Sequence, residues 1–354
     1  MQNTTSEKIR VVSFLAIILV VFLHSYNLDF AEETAARLPG KSWNWFVQDL
    51  ISYGFTRVAV PIFFIFSGFW FFYSKEHASV NFIGKITKRV RTLLVPFLFW
   101  SLFGIGLYFV LQSLPQFHKF FSKELVKDYT LQMWLLKIFI EPIPYQLWFI
   151  RDLMVLVLIS PLIYLMIKYF GKFFIVILFI PWFCDFNSFH NSIEAILFFT
   201  IGSYIAIYMP DILAVNFKSK TKYFIPLWIF MVVAKTCMSL FNIQYDLIAV
   251  FSKIGIIIGI FSFWGLYDTV IRDNISIRQL FLKLSSMTFF VFASHEPIMT
   301  MVKKLFYLIL GNSEAKSMIV YVAAPITTII TAMFCAIVLK KYAGGFYKII
   351  TGGR

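Results

Sequence analysis

The sequence predicts an all-α fold, a polytopic membrane helical bundle of about ten transmembrane helices. Of its 354 residues, 60% are hydrophobic and only 14% are charged, which is more apolar surface than a soluble core needs. Apolar runs of about 18 to 25 residues recur along the chain, and each can cross a hydrocarbon layer of roughly 30 Å as a helix. No Gly-, Ser- or Pro-rich linker interrupts them. We therefore expect a single membrane domain over residues 1–354.

Ten apolar segments account for the predicted spans. The first follows Lys8 and Arg10 and lacks a small-residue cleavage site, so it is expected to stay uncleaved. The fifth is short. In chain order the segments are 11–27, 51–73, 91–112, 147–167, 172–185, 191–209, 223–241, 246–270, 284–310 and 317–339.

The net charge of +14 would suggest a nucleic-acid partner on a soluble protein, but here the basic residues favour one side of the membrane. With the N-terminus inside, the inner loops hold "KITKRVR" (85–91) and "KSKTK" (218–222), and the outer loops hold fewer Lys and Arg. We therefore expect an inner or plasma membrane protein with both termini cytoplasmic, surrounded by lipid and without nucleic acid. The outer segment 113–146 fits an interfacial amphipathic helix or a lid.

No metal site is expected from the cysteines. Cys184, Cys237 and Cys335 are far apart, lie in or near apolar runs and form neither a CxxC pair nor a zinc-ligand spacing. They are interpreted as small apolar residues.

Ionisable residues fall in the outer half of several predicted spans. Each costs at least about 2.5 kcal/mol in lipid, so we expect them to face the bundle interior and to pair around an outward-facing, water-filled pocket. For any one pair, such as Arg151–Asp152, a structural ion pair is the alternative. The residues are His24, Arg57, Arg151, Asp152, Glu194, Lys235, Lys253, His295 and Glu296.

Five motifs, in this order, resemble the membrane acyltransferase 3 family over about residues 8–340. The first span ends in "LVVFLHSYN", and the second carries "RVAVPIFFIFSGFWFF" (57–72), similar to the family's Pro, paired Phe and Ser-Gly-Phe. The basic turn "KRVRTLLVPFLFW" (88–100) and the Trp-Phe-x-Arg-Asp opening of "LWFIRDLMVLVLISPLIY" (147–164) follow. The late-span His-Glu element lies in "SSMTFFVFASHEPI" (285–298).

The resemblance implies an integral membrane O-acyltransferase. Such enzymes take a short acyl group, usually acetyl and sometimes succinyl, from cytoplasmic acyl-CoA and pass it to a hydroxyl of an envelope polysaccharide or lipid-linked glycan. His24 falls on the family's presumed catalytic histidine. The family has an Arg eleven residues earlier, where this chain has Ser13. Arg10, fourteen residues before His24 and on nearly the same helix face, is the candidate substitute.

Acyl transfer from a thioester to a hydroxyl requires a base near neutral pH, and a neutral imidazole suits this role. His24 is the predicted general base, with an acyl-imidazole intermediate as the alternative, and Asp29 is a candidate residue to orient the ring. Arg151 is predicted to stabilise the oxyanion or to bind an anionic glycan, with Asp152 holding it. The predicted substrate-binding residues are Arg10, Arg57, Lys253, His295 and Glu296.

Several of these residues have a second interpretation. Glu296 beside His295 is either a second acid/base site or a satisfied polar kink at Pro297. The basic run 85–91 either holds CoA phosphates or only marks the cytoplasmic side. Ser67, before Gly68, is expected to let helices approach closely.

Two other classes of function stay open from sequence alone. A glycan-lipid transporter or flippase would also carry a polar pocket within the membrane, although the chain shows no internal repeat of span patterns. A non-catalytic partner of polysaccharide synthesis is the third class.

Overall fold

The computed structural model describes residues 3–28, 41–73, 81–115, 124–184 and 190–353. Helices dominate these ranges, and no strand occurs within them. The predicted all-α class is therefore confirmed. The absence of strands follows from the sequence, since long apolar runs satisfy their backbone hydrogen bonds internally only as helices.

Sixteen α-helices occur in the described ranges. Short 3₁₀ turns precede α3 and α7, and π-helical segments follow α4 (Val90–Leu94) and α12 (Tyr267–Ile271). The helices are α1 Asn3–Leu23, α2 Trp43–Ser52, α3 Ala59–Phe72, α4 Phe82–Arg89, α5 Val95–Ser113, α6 Leu131–Phe139, α7 Trp148–Leu158, α8 Ser160–Phe170, α9 Lys172–Phe183, α10 His190–Tyr208, α11 Lys218–Leu240, α12 Tyr245–Leu266, α13 Ile275–Ser285, α14 Thr288–Leu310, α15 Glu314–Tyr342 and α16 Gly344–Ile350.

The predicted count of about ten spans is not confirmed. Within the described ranges, five helical stretches are long and apolar enough to cross a membrane, or up to seven if two bent pairs each form one span. The bends are 61° between α7 and α8 and 62° between α13 and α14. Among the remaining predicted spans, α1 carries Glu7, Lys8 and Arg10 in its first half, and α9 is short. The protein is a multi-pass membrane protein with broken helices.

The first helix, α1, packs at the centre of the bundle against α3, α13, α14 and α15. Its first half is anchored by a buried ion pair, in which Lys8 Nζ lies 2.6 Å from Asp268 Oδ2. The same carboxylate accepts a hydrogen bond from the Phe217 amide at 2.9 Å. Lys8 is therefore a buried structural residue as well as a topological signal.

Helices α3 and α10 pack closely through glycine. A Cβ on Gly68 would lie 2.1 Å from the carbonyl oxygen of Phe199, and one on Gly202 would lie 1.9 Å from that of Ile65. The predicted close approach at the Ser-Gly pair is thus made by Gly68. Ser67, its neighbour, also lines a cavity.

Candidate active site

His24 lies just after α1, where the helix ends at Leu23. Its ring stands edge-on to Tyr145, with centroids 4.9 Å apart, and stacks on His295 at 5.4 Å with an interplanar angle of 22°. The 3₁₀ turn before α7 supplies Tyr145, and α14 supplies His295. The end of the first helix is thus held between side chains from two distant parts of the chain.

His295 is fully buried. Its Nδ1 lies 2.7 Å from the carbonyl oxygen of Phe292, and a carbonyl only accepts, so Nδ1 carries the proton. The other ring nitrogen, Nε2, is then a hydrogen-bond acceptor, and it has no partner in the part of the chain that the structure describes. A second imidazole able to accept a proton therefore stands beside His24.

Glu296 is buried where α14 breaks. Its backbone leaves the helical region, at φ −108° and ψ 133°, immediately before Pro297. The carboxylate accepts hydrogen bonds from the Tyr145 hydroxyl at 3.4 Å and from Thr300 Oγ1 at 2.8 Å. The Gln146 side-chain amide donates to the freed carbonyls of Ala293 and Glu296, both at 3.0 Å. Glu296 is thus both a satisfied kink residue and a carboxylate close to the imidazole pair.

Lys303 was not predicted from the sequence. It is 7% exposed and donates to the backbone carbonyls of His24 at 2.5 Å and Tyr26 at 3.0 Å. A cation suits this place because the last carbonyls of a helix lack intrahelical partners. A lysine inside the predicted span 284–310 was a signal that could have revealed it.

A buried network of uncharged polar side chains holds the chain after His24. The Asn27 side-chain amide donates to the Ser317 carbonyl at 3.0 Å, and Gln48 donates to Asn27 Oδ1 at 2.8 Å. The Ser52 hydroxyl lies 2.9 Å from the Phe22 carbonyl and 2.9 Å from the Tyr321 hydroxyl. This network was also not predicted, because single Asn, Gln and Ser residues carry little signal in an apolar sequence. Asp29 lies outside the described residues.

A cavity of about 850 Å³ extends to Phe292, one helical turn before His295 on α14, and its lining does not include His24 or His295. At one end it is lined by Arg10, Lys85, Lys88 and Arg89, and no Asp or Glu occurs among its described lining residues. We call this the basic end. Its opposite wall includes Phe292, whose carbonyl oxygen is the hydrogen-bond partner of His295.

The middle of this cavity is mainly apolar. Its walls here include Phe63, Phe66, Phe149 and Phe289, together with Ser13 and Ser67. The sequence predicted an outward-facing pocket around the buried charges, whereas this cavity extends from the basic end of the bundle. It would suit a long molecule with an anionic head and an uncharged arm.

A family model described as an acyltransferase domain, acyltransferase 3, matches residues 8–339. The chain belongs to this family. It is also 22% identical to the succinoglycan biosynthesis protein ExoH of Rhizobium meliloti (strain 1021), an alignment that covers 100% of this chain and 94% of that protein. No solved structure matches the chain. The family resemblance of the sequence motifs is thereby confirmed.

In this acyltransferase, Arg151 and Asp152 form the expected ion pair, with Nη2 and Oδ1 2.8 Å apart. Arg151 Nη1 also donates to the carbonyl of Ile140, just after α6, at 2.6 Å. Within the described ranges, no hydrogen bond, ion pair or ring contact joins either residue, or Arg57, to His24. The pair lies at the start of α7, and the hydrogen bond from Arg151 to Ile140 joins this helix to the preceding loop.

Two other predicted charges of the acyltransferase lie in separate clusters. Lys235 forms an ion pair with Asp49 at 2.8 Å, and the Thr236 hydroxyl donates to the same carboxylate at 2.9 Å. The Lys253 ammonium lies 4.6 Å from the centroid of a Trp182 ring, and the Trp182 indole donates to Glu194 at 3.0 Å. The buried charges therefore do not all gather around one pocket. Of the predicted charged residues in the described ranges, His295 contacts His24 directly, and Glu296 is linked to it through Tyr145.

Proposed function

We propose that this acyltransferase moves a short acyl group, most simply acetyl, from acyl-CoA to a hydroxyl of an envelope polysaccharide or lipid-linked glycan. The observation that carries the proposal is a cavity lined by four cationic side chains and by Phe292, whose ring centroid lies 6.2 Å from that of His295, the ring stacked on His24. Its two ends suit the two parts of a CoA thioester, which has a phosphorylated nucleotide at one end and a reactive carbonyl at the other.

The basic end supplies what phosphate groups need. Arg89 and Lys88 stand one turn apart from Lys85 on α4, and Arg10 faces them from α1. Guanidinium and ammonium groups bind phosphate through charge-assisted hydrogen bonds. This favours the first of the two interpretations of the basic run, and it gives Arg10 a role in binding the donor where the family has an arginine at the position of Ser13.

The imidazole pair supplies the chemistry. His24 takes the proton from the acceptor hydroxyl, the oxygen attacks the thioester carbon, and the C–S bond breaks as the thiolate leaves. The proton on His24 then passes to the thiolate, so the pair returns to its starting state. In the alternative route the acyl group rests on His24 as an acyl-imidazole. The Tyr145 hydroxyl, whose hydrogen bond to Glu296 is long at 3.4 Å and whose ring contacts His24, is the proposed donor for the oxyanion. Arg151 donates to Asp152 and to the Ile140 carbonyl instead.

The acceptor is proposed from the relative's name, which refers to the biosynthesis of succinoglycan, a polysaccharide. Arg151, 35% exposed in its side chain, is the proposed contact for an anionic group on such a glycan. The site is proposed to lie in an inner or plasma membrane. Arg10 near the N-terminus and Gly353 near the C-terminus line the same cavity, which supports the two termini on one side, cytoplasmic by the positive-inside rule.

The test uses membranes that contain the full chain, labelled acyl-CoA and extracted envelope glycan. Acyl transfer to the glycan should depend on His24, and the His24→Ala and His24→Gln variants should accumulate normally but transfer no acyl group. Glycan export measured in parallel separates the enzyme from a transporter. Normal ester levels with failed export in the His24→Ala strain would favour the transporter and contradict the proposal.

A further inference from the structure

The C-terminal segment packs firmly against the bundle. The Trp100 indole on α5 donates to the carbonyl of Ile350 at 3.0 Å, and Tyr347 stacks on Phe290 with ring centroids 5.6 Å apart. Thr351 is fully buried, and its hydroxyl donates to the Tyr347 carbonyl at 2.7 Å. The chain after α16 is thus placed by contacts with two other helices.

Two glycines follow and line the cavity. Both have positive φ, +68° at Gly352 and +78° at Gly353, a conformation that glycine adopts without strain. A Cβ on Gly352 would lie 2.3 Å from the carbonyl oxygen of Thr92, whereas one on Gly353 would meet no heavy atom within 4 Å. Gly352 therefore allows the segment to touch the π-helical turn after α4, and Gly353 faces open space.

The wall that they form belongs to the basic end of the cavity. Thr92 and Arg89, from the segment that Gly352 touches, line the same cavity. Among the residues that the structure describes, the Arg89 side chain has no acidic partner, and Lys85 donates to a backbone carbonyl, that of Phe71, at 2.6 Å. No Asp or Glu occurs among the described residues that line the cavity, so an anion entering here is attracted by several cations at once.

We propose that Gly352 and Gly353 form a wall of the site that binds the phosphate end of the donor, and that this wall must carry no negative charge. The proposal rests on acyl-CoA as the donor. It concerns a part of the chain that the family match, which ends at residue 339, does not include. The glycines keep this wall close to the basic turn without placing a side chain in the path of the phosphates.

A pair of variants at one position tests this. Asn and Asp both tolerate positive φ and have nearly the same shape, so Gly353→Asn and Gly353→Asp differ mainly by one negative charge. In full-length protein in membranes, Gly353→Asp should raise the KM for acetyl-CoA about five- to tenfold at low salt, because the added carboxylate repels the phosphates and pairs with the cations. The kcat should stay within a factor of about two, since the change is remote from the imidazole pair.

The controls separate charge, shape and folding. Gly353→Asn has nearly the same shape without the charge, so it should raise the KM clearly less than Gly353→Asp does. Gly344→Asp adds the same charge at a position where a Cβ also meets nothing within 4 Å but which does not line the cavity, and it should leave the KM unchanged. Accumulation of all three variants is measured by immunoblot.

Two outcomes would overturn the inference. An unchanged KM in Gly353→Asp would show that no anion approaches this wall, and an equal rise in Gly353→Asn and Gly353→Asp would show that shape alone matters. Failure of the proposed function is distinct from both, because the wild-type protein would then transfer no acyl group from acetyl-CoA or any other short acyl-CoA.

Discussion

The Lys303 ammonium donates hydrogen bonds to the carbonyls of His24 and Tyr26, joining α14 to the end of α1. His295, eight residues earlier on the same helix, stacks on the His24 ring. One helix therefore holds both the backbone and the ring of His24. Because the imidazole lies beyond the last turn of α1, these contacts, rather than the helix itself, set its direction.

Lys303→Met keeps the length of the side chain but removes its donors. We expect kcat to fall about ten- to hundredfold, since a shift of about 1 Å in a catalytic group costs that much, while the KM for acyl-CoA changes little. Lys303→Arg should retain more activity because it can still donate to both carbonyls. Steady-state kinetics in membranes, normalised to protein amount, is the measurement. Lys341→Met, at an exposed lysine, is the control, and a loss confined to KM would refute the positioning role.

The imidazole pair leads to a graded prediction. His24→Ala should abolish transfer, and His24→Gln should be equally inactive because an amide cannot act as a base. His295→Gln should retain measurable activity if His24 is the base, because His295 acts through its contact with that ring. Acyl transfer to glycan is measured for each variant. If His295→Gln were as inactive as His24→Ala while His24→Gln stayed active, His295 would be the base and His24 the supporting residue.

The basic end of the cavity should control donor affinity. Arg89→Gln removes a cation that lines the cavity, so we expect the KM for acyl-CoA to rise about tenfold at low salt, and less at high salt where the attraction is screened. Lys222→Gln makes a matched charge change outside the cavity lining and should have no such effect. If both variants behave alike across a salt titration, the basic run serves topology alone.

The buried Lys235–Asp49 ion pair leads to a prediction about the stability of the protein. Lys235→Met strands a buried carboxylate and should lower stability by about 3 to 5 kcal/mol, seen as loss of accumulation. The double change Lys235→Met with Asp49→Leu removes both charges and should recover most of the accumulated protein. Thermal unfolding in detergent quantifies both. If the double variant were no more stable than Lys235→Met, the loss of stability would not come from the stranded carboxylate alone.

Topology can be tested at the two ends of the bundle. Reporter fusions after Lys220 and after Lys348 should both report the cytoplasm, because the basic loops favour that side. A fusion after Asn312, between α14 and α15 near the end of the bundle that holds His24, should report the opposite side. A cytoplasmic signal at Asn312 would place His24 on the cytoplasmic face and would contradict its predicted position in the outer half of the first span.

The sequence by itself determined the helical membrane class, the family and His24 as the principal candidate. It also determined the Arg151–Asp152 pair, which are neighbours in the chain. These are local properties: an apolar run of a given length must be helical in lipid, and the motifs are read over short stretches. The number of spans was harder to predict from the sequence. A bend or a charged first turn leaves the composition of a segment almost unchanged, but it alters how the helix crosses the membrane.

Only the tertiary structure decided how the helices are rotated against one another. The contacts of His24 with His295 and Lys303 join positions more than 270 residues apart, and spans that are apolar on every side carry little signal for which face turns inward. For the same reason the cavity, the role of Ser67 in lining it and the glycine wall at Gly352 and Gly353 were not foreseen. Burial in lipid costs apolar faces nothing, so packing and polar pairing between helices select the arrangement.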